Sequence, residues 1–476
     1  MRRGEWSSAV QRRCVVLLSW VVVVSGCGRE ADEGGSAAAA DERQQSAAVP
    51  ASPSPVALAV AQAQALVQAA VRGPESLSRE EGLLALRAAY ARDDLVGAGA
   101  LFELLAGSAL DLDLVLVQAE GLIEGGEIAA AQALLFEWEP RHLGETRIAA
   151  LIERSFDADP DFVPPVRTVV ADVDLDAIRY LGGGSTVVLR LLKERETVAA
   201  FKPKQRRLQS CFRAEIAAWR LCPLIRCGFD IPRNVHVRLT WRAFDGLYAR
   251  INTEKQRSER HNLKDVSLVR EDGEDWVHGT WKDWVPDFTV YPIELSSVWR
   301  PWLLVDGDPT TLDGRAAESL GPILRQHPRG EKVARELTRH MGEMSRRDLA
   351  RQISNLLVFD YLINNWDRFS GVPEFWGVNC QFANGRFVSI DNGAAFPRTP
   401  NEKPARQLKR VQRFSRTLVQ AVRALDHDKT LARLFPEATP FEIERFETFW
   451  QQRSLFLAYV DELVAAHGAE AVLFFE

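Results

Sequence analysis

The chain has 476 residues, enough for two or three domains. Hydrophobic residues make up 46% and charged residues 26%, ordinary values for a globular protein. A net charge of −6 and a pI near 5.9 give no bulk reason to expect a nucleic-acid partner.

The N-terminus reads as a targeting segment. Arg2, Arg3, Arg12 and Arg13 form a positive region ahead of an apolar run from Val15 to Val24. That run is shorter than the roughly 20 residues a helix needs to cross a bilayer. It ends in Val24-Ser25-Gly26-Cys27, which resembles a bacterial lipobox. The resemblance implies cleavage within residues 1–27 and lipidation of Cys27. Several acyl chains on one residue make a stable membrane anchor. With Gly28 next, the expected location is the cell envelope, at the outer membrane or cell surface rather than the inner membrane. Residues 28–56 are rich in Ala, Ser, Glu, Asp, Gln and Pro and lack aliphatic periodicity, so a disordered tether is expected.

Residues 57–160 are rich in alanine and leucine and read as helical. Asp94, Ala98 and Leu101 each lie 33 residues before Glu127, Ala131 and Leu134. Small residues let paired helices approach closely, and this period suits helical hairpins of a loosely tetratricopeptide-like kind. Either the segment is a platform for a protein partner, or it is a bundle packed on the next domain.

Phe162-Val163-Pro164-Pro165 marks a linker, and residues 166–476 form the expected second folded unit. Strands are predicted at Ile178–Leu181, Thr186–Lys193, Val198–Lys202, Val235–Trp241 and Asp275–Trp281. A helix is predicted from Ser210 to about Arg226, and a polar loop near 250–265. From Ser345 helices dominate: Ser345 and Asp348 suit a capping box, and further helices are expected at Leu408–Leu425 and Phe441–Leu463. The predicted fold class is α+β: a β-rich lobe, then a helical lobe, with a cleft between them.

Four cysteines remain beyond Cys14 and Cys27, with no ligand spacing for zinc. An exported location permits disulfides. Cys222 and Cys227 flank a helix end and are candidates for pairing; plain buried thiols are the simpler expectation.

The residues that carry chemistry come in a fixed order. Gly182, Gly183, Gly184 and Ser185 join two predicted strands, and glycines let backbone N–H groups close on phosphate oxygens. Lys202 ends the next strand, placed to pair α- and β-phosphates if a carboxylate holds it. Glu215 lies on the following helix among Ile216, Ala217 and Trp219, either partly exposed or buried against a cation. Lys204, Arg206 and Arg207 either assist in binding triphosphate or form a solvated loop. Asn364-Asn365-Trp366-Asp367-Arg368-Phe369 then follows a helix end, placing Asp367 to accept or orient the proton of an attacking hydroxyl. Asn379 offers an amide oxygen. Asn384-Gly385 suits a tight hairpin. The return strand carries Asp391, in Asp391-Asn392-Gly393, back to the same place. Asn379 and Asp391 are an all-oxygen set suited to Mg²⁺ or Mn²⁺.

Phe201-Lys202-Pro203, the block from Ala214 to Trp219, the run from Asp360 to Arg368 and Asp391-Asn392-Gly393 together resemble the secretory-pathway kinases of the Golgi casein kinase and four-jointed type. These belong to a wider set of atypical kinases that includes HipA-type and phosphatidylinositol kinases. The resemblance spans roughly residues 178–425. It implies a bilobal kinase-like fold and ATP with Mg²⁺ or Mn²⁺. By it, Lys202 and Glu215 are the nucleotide pair, Asp367 the catalytic aspartate, and Asn379 and Asp391 the metal ligands. It also implies an interlobe hinge at 281–286 and a protein Ser/Thr or sugar acceptor. Two positions depart from the pattern: Phe369 stands where His is usual, and Ser210 stands where a second acidic residue is usual. The second departure keeps a pseudokinase scaffold as the alternative. Trp284, Trp299 and Trp302 suggest either a carbohydrate surface or core packing.

Overall fold

The computed structural model describes residues 78–91, 94–109, 111–138, 146–158, 167–168, 175–181, 186–206, 210–250, 260–369 and 376–476. All of them belong to the unit Leu58–Glu476. Cys27, the tether, the 162–165 linker, Gly182, Gly183, Gly184, Ser185 and Arg207 lie outside the described residues.

Among the described residues five helices come first: α1 (Arg79–Tyr90), α2 (Leu95–Ala109), α3 (Leu112–Glu124), α4 (Ile128–Trp138) and α5 (Thr146–Ala158). The 33-residue repeat is visible as two hairpins, α1 with α2 and α3 with α4. Asp94 and Glu127 each directly precede the second helix of a hairpin, and the Asp94 carboxylate accepts the Gly97 N–H at 2.8 Å. Ala98 and Ala131 are fully buried where the helices meet. Leu116, Ile123, Leu135, Ile148 and Ile152 join one continuous core with Ile178, Leu189 and Leu191 of the sheet. That continuity is what a bundle packed on its neighbour requires.

The main sheet has seven strands: β1 (Arg167–Thr168), β2 (Ala177–Tyr180), β3 (Leu189–Lys193), β4 (Glu196–Pro203), β5 (Asn234–Thr240), β6 (Leu268–Glu271) and β7 (Glu274–Asp283). Its order is β1-β5-β7-β4-β3-β2, with β6 also on β7. Only β1–β5 is a parallel pair. Helix α6 (Phe212–Leu224) follows β4, and α7 (Trp241–Arg250) follows β5. The sequence pattern ran the β5 strand on to Trp241; instead Trp241 opens α7 and stacks on Phe244, with ring centroids 5.5 Å apart. Trp281 pairs with Phe201 and Val235 inside the sheet and is buried, so it is a core residue rather than part of a hinge.

The three-stranded sheet β10-β9-β8 leads into the helical lobe: β8 (Thr289–Val290), β9 (Gln381–Ala383) and β10 (Arg386–Val388). Asn384 (φ 47°) and Gly385 (φ 77°) both take left-handed backbone at its hairpin, as the dipeptide predicts. The longer helices of that lobe are α8 (Gly330–Met341), α9 (Arg346–Leu362), α10 (Glu402–Leu408), α11 (Arg416–Ala424), α12 (His427–Leu434) and α13 (Pro440–His467). The Ser345 hydroxyl caps α9, accepting the Asp348 N–H at 3.0 Å. From Leu349 to Leu362 almost every residue of α9 is buried, which makes it the central helix of this lobe. Its Gln352 amide accepts from Phe387 N–H and donates to the Gly385 carbonyl, holding the hairpin in place.

The helix expected over Leu408–Leu425 is interrupted. The Gln412 and Arg413 N–H groups donate to the Leu303 carbonyl, so residues 409–415 cross the lobe between α10 and α11. Cys222 and Cys227 form a disulfide at the end of α6, which corrects the expectation of plain thiols; Cys211 and Cys380 are unbonded. Trp299 and Trp302 are buried, with the Trp299 indole donating to the Ile293 carbonyl at 2.8 Å, so both serve the core. Trp284 lies under the Arg190 guanidinium, 4.9 Å from its ring centroid. Among the described residues, no helix is long and apolar enough to cross a membrane.

Candidate active site

Lys202 lies near the end of β4, between Phe201 and Pro203, and is 3% exposed. A bare ammonium there would be costly, because burial removes its hydration. Two carboxylates compensate. Glu215, fully buried on α6, approaches Lys202 Nζ to 2.9 Å, and Asp391 approaches it to 2.5 Å. Burial pulls the Lys202 pKa down, but Asp391 and Glu215 outweigh it and raise it above the ordinary lysine value. Glu215 is therefore the buried, cation-bound alternative of the two open to it in the sequence.

Glu215 is shared. Its second oxygen accepts from Lys282 Nζ on β7 at 3.0 Å and from the Asn392 N–H at 2.9 Å. Lys282 carried no signal in the sequence, lying one residue past the predicted strand Asp275–Trp281; the observed β7 includes it. Burial pushes the Glu215 carboxyl up, yet Lys202 and Lys282 hold it down, to about 2 against an ordinary 4.5. A depressed carboxylate contributes stability that is complete above its unfolded pKa and is lost as pH falls toward the folded one. The stability gap between wild type and Glu215→Gln, read by urea titration, should thus be constant from neutral pH to about 5. It should then narrow as acid is added. A gap that stays constant to about pH 3 would contradict the lysine-held carboxylate.

The Asp391 loop is built for close approach. Asp391 has left-handed backbone (φ 58°, ψ 52°), uncommon outside glycine, asparagine and aspartate. A Cβ at Gly393 would come within 2.6 Å of Lys202 Nζ, so a larger residue there would push the ammonium from its present place. The Gly393 carbonyl accepts the Cys211 N–H at 3.0 Å, tying the start of α6 to the same loop.

Arg368 organises the far side. It is completely buried and donates to Asp360 at 2.6 Å, Ser389 at 2.6 Å, Asn392 at 2.9 Å and the Asn379 carbonyl. Asn379 donates from its amide nitrogen to the Asp367 carboxylate at 3.2 Å and to the Asp367 carbonyl at 3.1 Å. That orientation leaves the Asn379 amide oxygen as an acceptor. A chain of contacts thus runs from Lys202 through Asp391-Asn392, Arg368 and Asn379 to Asp367. Contacts gather Lys202, Glu215 and Asp391 on one side and Asn379 and Asp367 on the other, joined through Arg368. Arg368 and Asp360, which hold them, lie eight positions apart within a run already conspicuous in the sequence, but the role of the pair needed coordinates. Lys204 and Arg206 are exposed, in keeping with a solvated loop. Ser210 is buried, and among the described residues its hydroxyl has no hydrogen-bond partner.

Among the described residues, no group of three or more His, Cys, Asp or Glu gathers as a metal site. The Asp391 carboxylate and the Asn379 amide oxygen are a sparse donor set. They fit a hard cation that keeps water and takes phosphate oxygens as further ligands, and do not fit a resident structural metal.

No family model matches the chain, and no curated protein matches it. Solved structures do. The crystal structure of the Golgi casein kinase with Mn and ADP bound aligns at 13% identity and TM-score 0.38, over 63% of this chain and 75% of that one. Another crystal structure of the Golgi casein kinase aligns at 13% and 0.40, over 67% and 79%. The structure of hydra Fam20 with sugar aligns at 13% and 0.38, over 63% and 88%. At these values the likeness assigns no residue a role; the roles rest on the contacts above.

Proposed function

We propose that this chain is an exported, lipid-anchored, metal-dependent phosphotransferase that moves the γ-phosphoryl group of ATP to a hydroxyl of a protein Ser/Thr or a sugar. The observation that carries the reading is the buried Lys202, held at once by Glu215 on α6 and Asp391 on the loop after β10. A structural ion pair needs one carboxylate. A lysine with two, one of them 40% exposed, can turn its charge to phosphate oxygens while Glu215 keeps it in place.

In this reading Asp367 accepts the proton of the attacking hydroxyl, oriented by the Asn379 amide. Asp391 and the Asn379 oxygen would hold Mg²⁺ or Mn²⁺, which neutralises phosphate charge when bound. Lys202 pairs the α- and β-phosphates, and Lys282 keeps Glu215 charged. Gly182, Gly183, Gly184 and Ser185 would supply backbone donors over the phosphates. Arg368 fixes Asn379, Ser389 and Asn392 so that positioning precedes binding. Lipidation at Cys27 places the enzyme at the cell envelope, and the α1–α5 segment offers a protein partner a surface.

One observation favours a second reading, a pseudokinase scaffold: where a further carboxylate would strengthen metal binding there is Ser210, buried and without a hydrogen-bond partner among the described residues. Incubating the full chain with γ-labelled and, separately, α-labelled ATP plus Mn²⁺ or Mg²⁺ separates the readings. Label transferred from the γ-position to a protein or glycan acceptor is the expected result. Thermal stabilisation by ATP with no transfer would establish the scaffold instead, and transfer of α-label would mean nucleotidyl transfer.

A further inference from the structure

A cavity of about 700 Å³ lies between the C-terminal half of α6, the disulfide loop that follows it, the β9–β10 hairpin and α12. Its size suits a small-molecule ligand. None of Lys202, Glu215, Asp367, Asn379 or Asp391 lines it. Its lining carries four arginines, Arg220, Arg226, Arg386 and Arg433, against one carboxylate, Asp230. Asp230 is engaged with Arg386 at 3.1 Å. The lining is thus strongly positive although the chain as a whole is acidic.

Arg220 is the anomaly. It is 5% exposed, and among the described residues its Nε has no hydrogen-bond partner. One terminal nitrogen donates only to a neutral group, the Arg433 carbonyl, at 3.1 Å. Burial, Arg433 and Arg213 all pull its pKa down, so its surroundings disfavour the charge it carries. A buried guanidinium without a carboxylate is costly unless an anion meets it. Guanidinium forks match phosphate oxygens in geometry as well as charge. Trp219, Phe229 and Ile231 add an apolar wall.

We propose that this cavity is a binding site for a small phosphate-bearing anion, received by Arg220, Arg226, Arg386 and Arg433. The site is built from the elements that carry the candidate active site. Helix α6 bears Glu215. The Asp230 N–H donates to the Phe387 carbonyl and its own carbonyl accepts the Ser389 N–H, both at 2.8 Å, so the disulfide loop is stitched to the strand that leads to Asp391. An anion bound here braces both. The inference does not rest on the phosphotransfer reading, because binding alone tests it.

The test is calorimetric titration of the full chain with inorganic pyrophosphate and, in a second arm, with a hexose 6-phosphate. Both are run in the presence of a saturating non-hydrolysable ATP analogue. Saturable binding to wild type is expected, weakened on the order of tenfold or more by Arg220→Met, the loss expected of a charge-assisted hydrogen bond. The double variant Arg226→Ala/Arg386→Ala should weaken it similarly; both side chains are exposed, so this variant keeps the test valid if Arg220→Met fails to fold. Tighter binding in the sugar arm would identify a phosphorylated metabolite as the ligand, and equal binding a free phosphate. Absence of saturable binding in both arms, or affinities unchanged in the double variant, overturns the proposal.

Discussion

Asp367→Asn is expected to lower γ-phosphoryl transfer by about 10²–10⁴-fold, the usual worth of a positioned general base. The substitution is nearly isosteric. An asparagine oxygen still accepts from the Asn379 amide, so the loop should hold its shape. Affinity for ATP should therefore change little, because Lys202 and Asp391 sit at the other end of the contact chain. Lys202→Met should behave differently. It removes the cation between Glu215 and Asp391 and is expected to abolish both nucleotide binding and turnover, with a stability loss besides. Equilibrium binding of a fluorescent ATP analogue and a labelled-ATP transfer assay on both variants separate the two effects. Transfer that persists in Asp367→Asn at wild-type rate removes Asp367 from the chemistry.

Arg368→Met is expected to destabilise the protein by about 3–5 kcal/mol, the cost of stranding one member of a buried pair. Asp360 would remain fully buried with no cation, and Ser389, Asn392 and the Asn379 carbonyl would each lose a donor. The effect should appear as a lower urea midpoint at unchanged slope. Replacing both partners, Asp360→Leu with Arg368→Met, should recover a large part of the loss, because no charge is then stranded. The recovered protein should still be impaired in transfer, since Asn379 and Asn392 lose the group that aligns them. A loss below about 1 kcal/mol in the single variant would mean that water or a neighbouring group replaces Arg368.

Much of the architecture was legible because it is written in local pattern. Alternation in the residues of β3, β4, β5 and β7 signals strands, and Asn384-Gly385 signals its hairpin. A serine cap marks a helix start: Ser345 caps α9. The 33-residue spacing of Asp94 and Glu127 foretold two helical hairpins. Elements whose ends depend on distant partners were misread. The Leu408–Leu425 segment has helical composition, yet the Leu303 carbonyl draws residues 412 and 413 out of helix. Trp241 has strand propensity, yet α7 begins there.

For the candidate site, residue types and their order along the chain already named the available side chains: a lysine at a strand end, a glutamate among apolar helix residues, aspartates at a helix exit and after a hairpin. Chemistry and order are local properties, so one chain suffices to read them. Folding contacts added that Glu215 serves two lysines, that Arg368 ties Asp360 to Asn379, Ser389 and Asn392, and that four arginines line a cavity beside α6. Those are relations between groups up to 213 positions apart, as for Arg220 and Arg433. Burial turns such relations into energy: a charge removed from water must find its partner wherever the chain brings one.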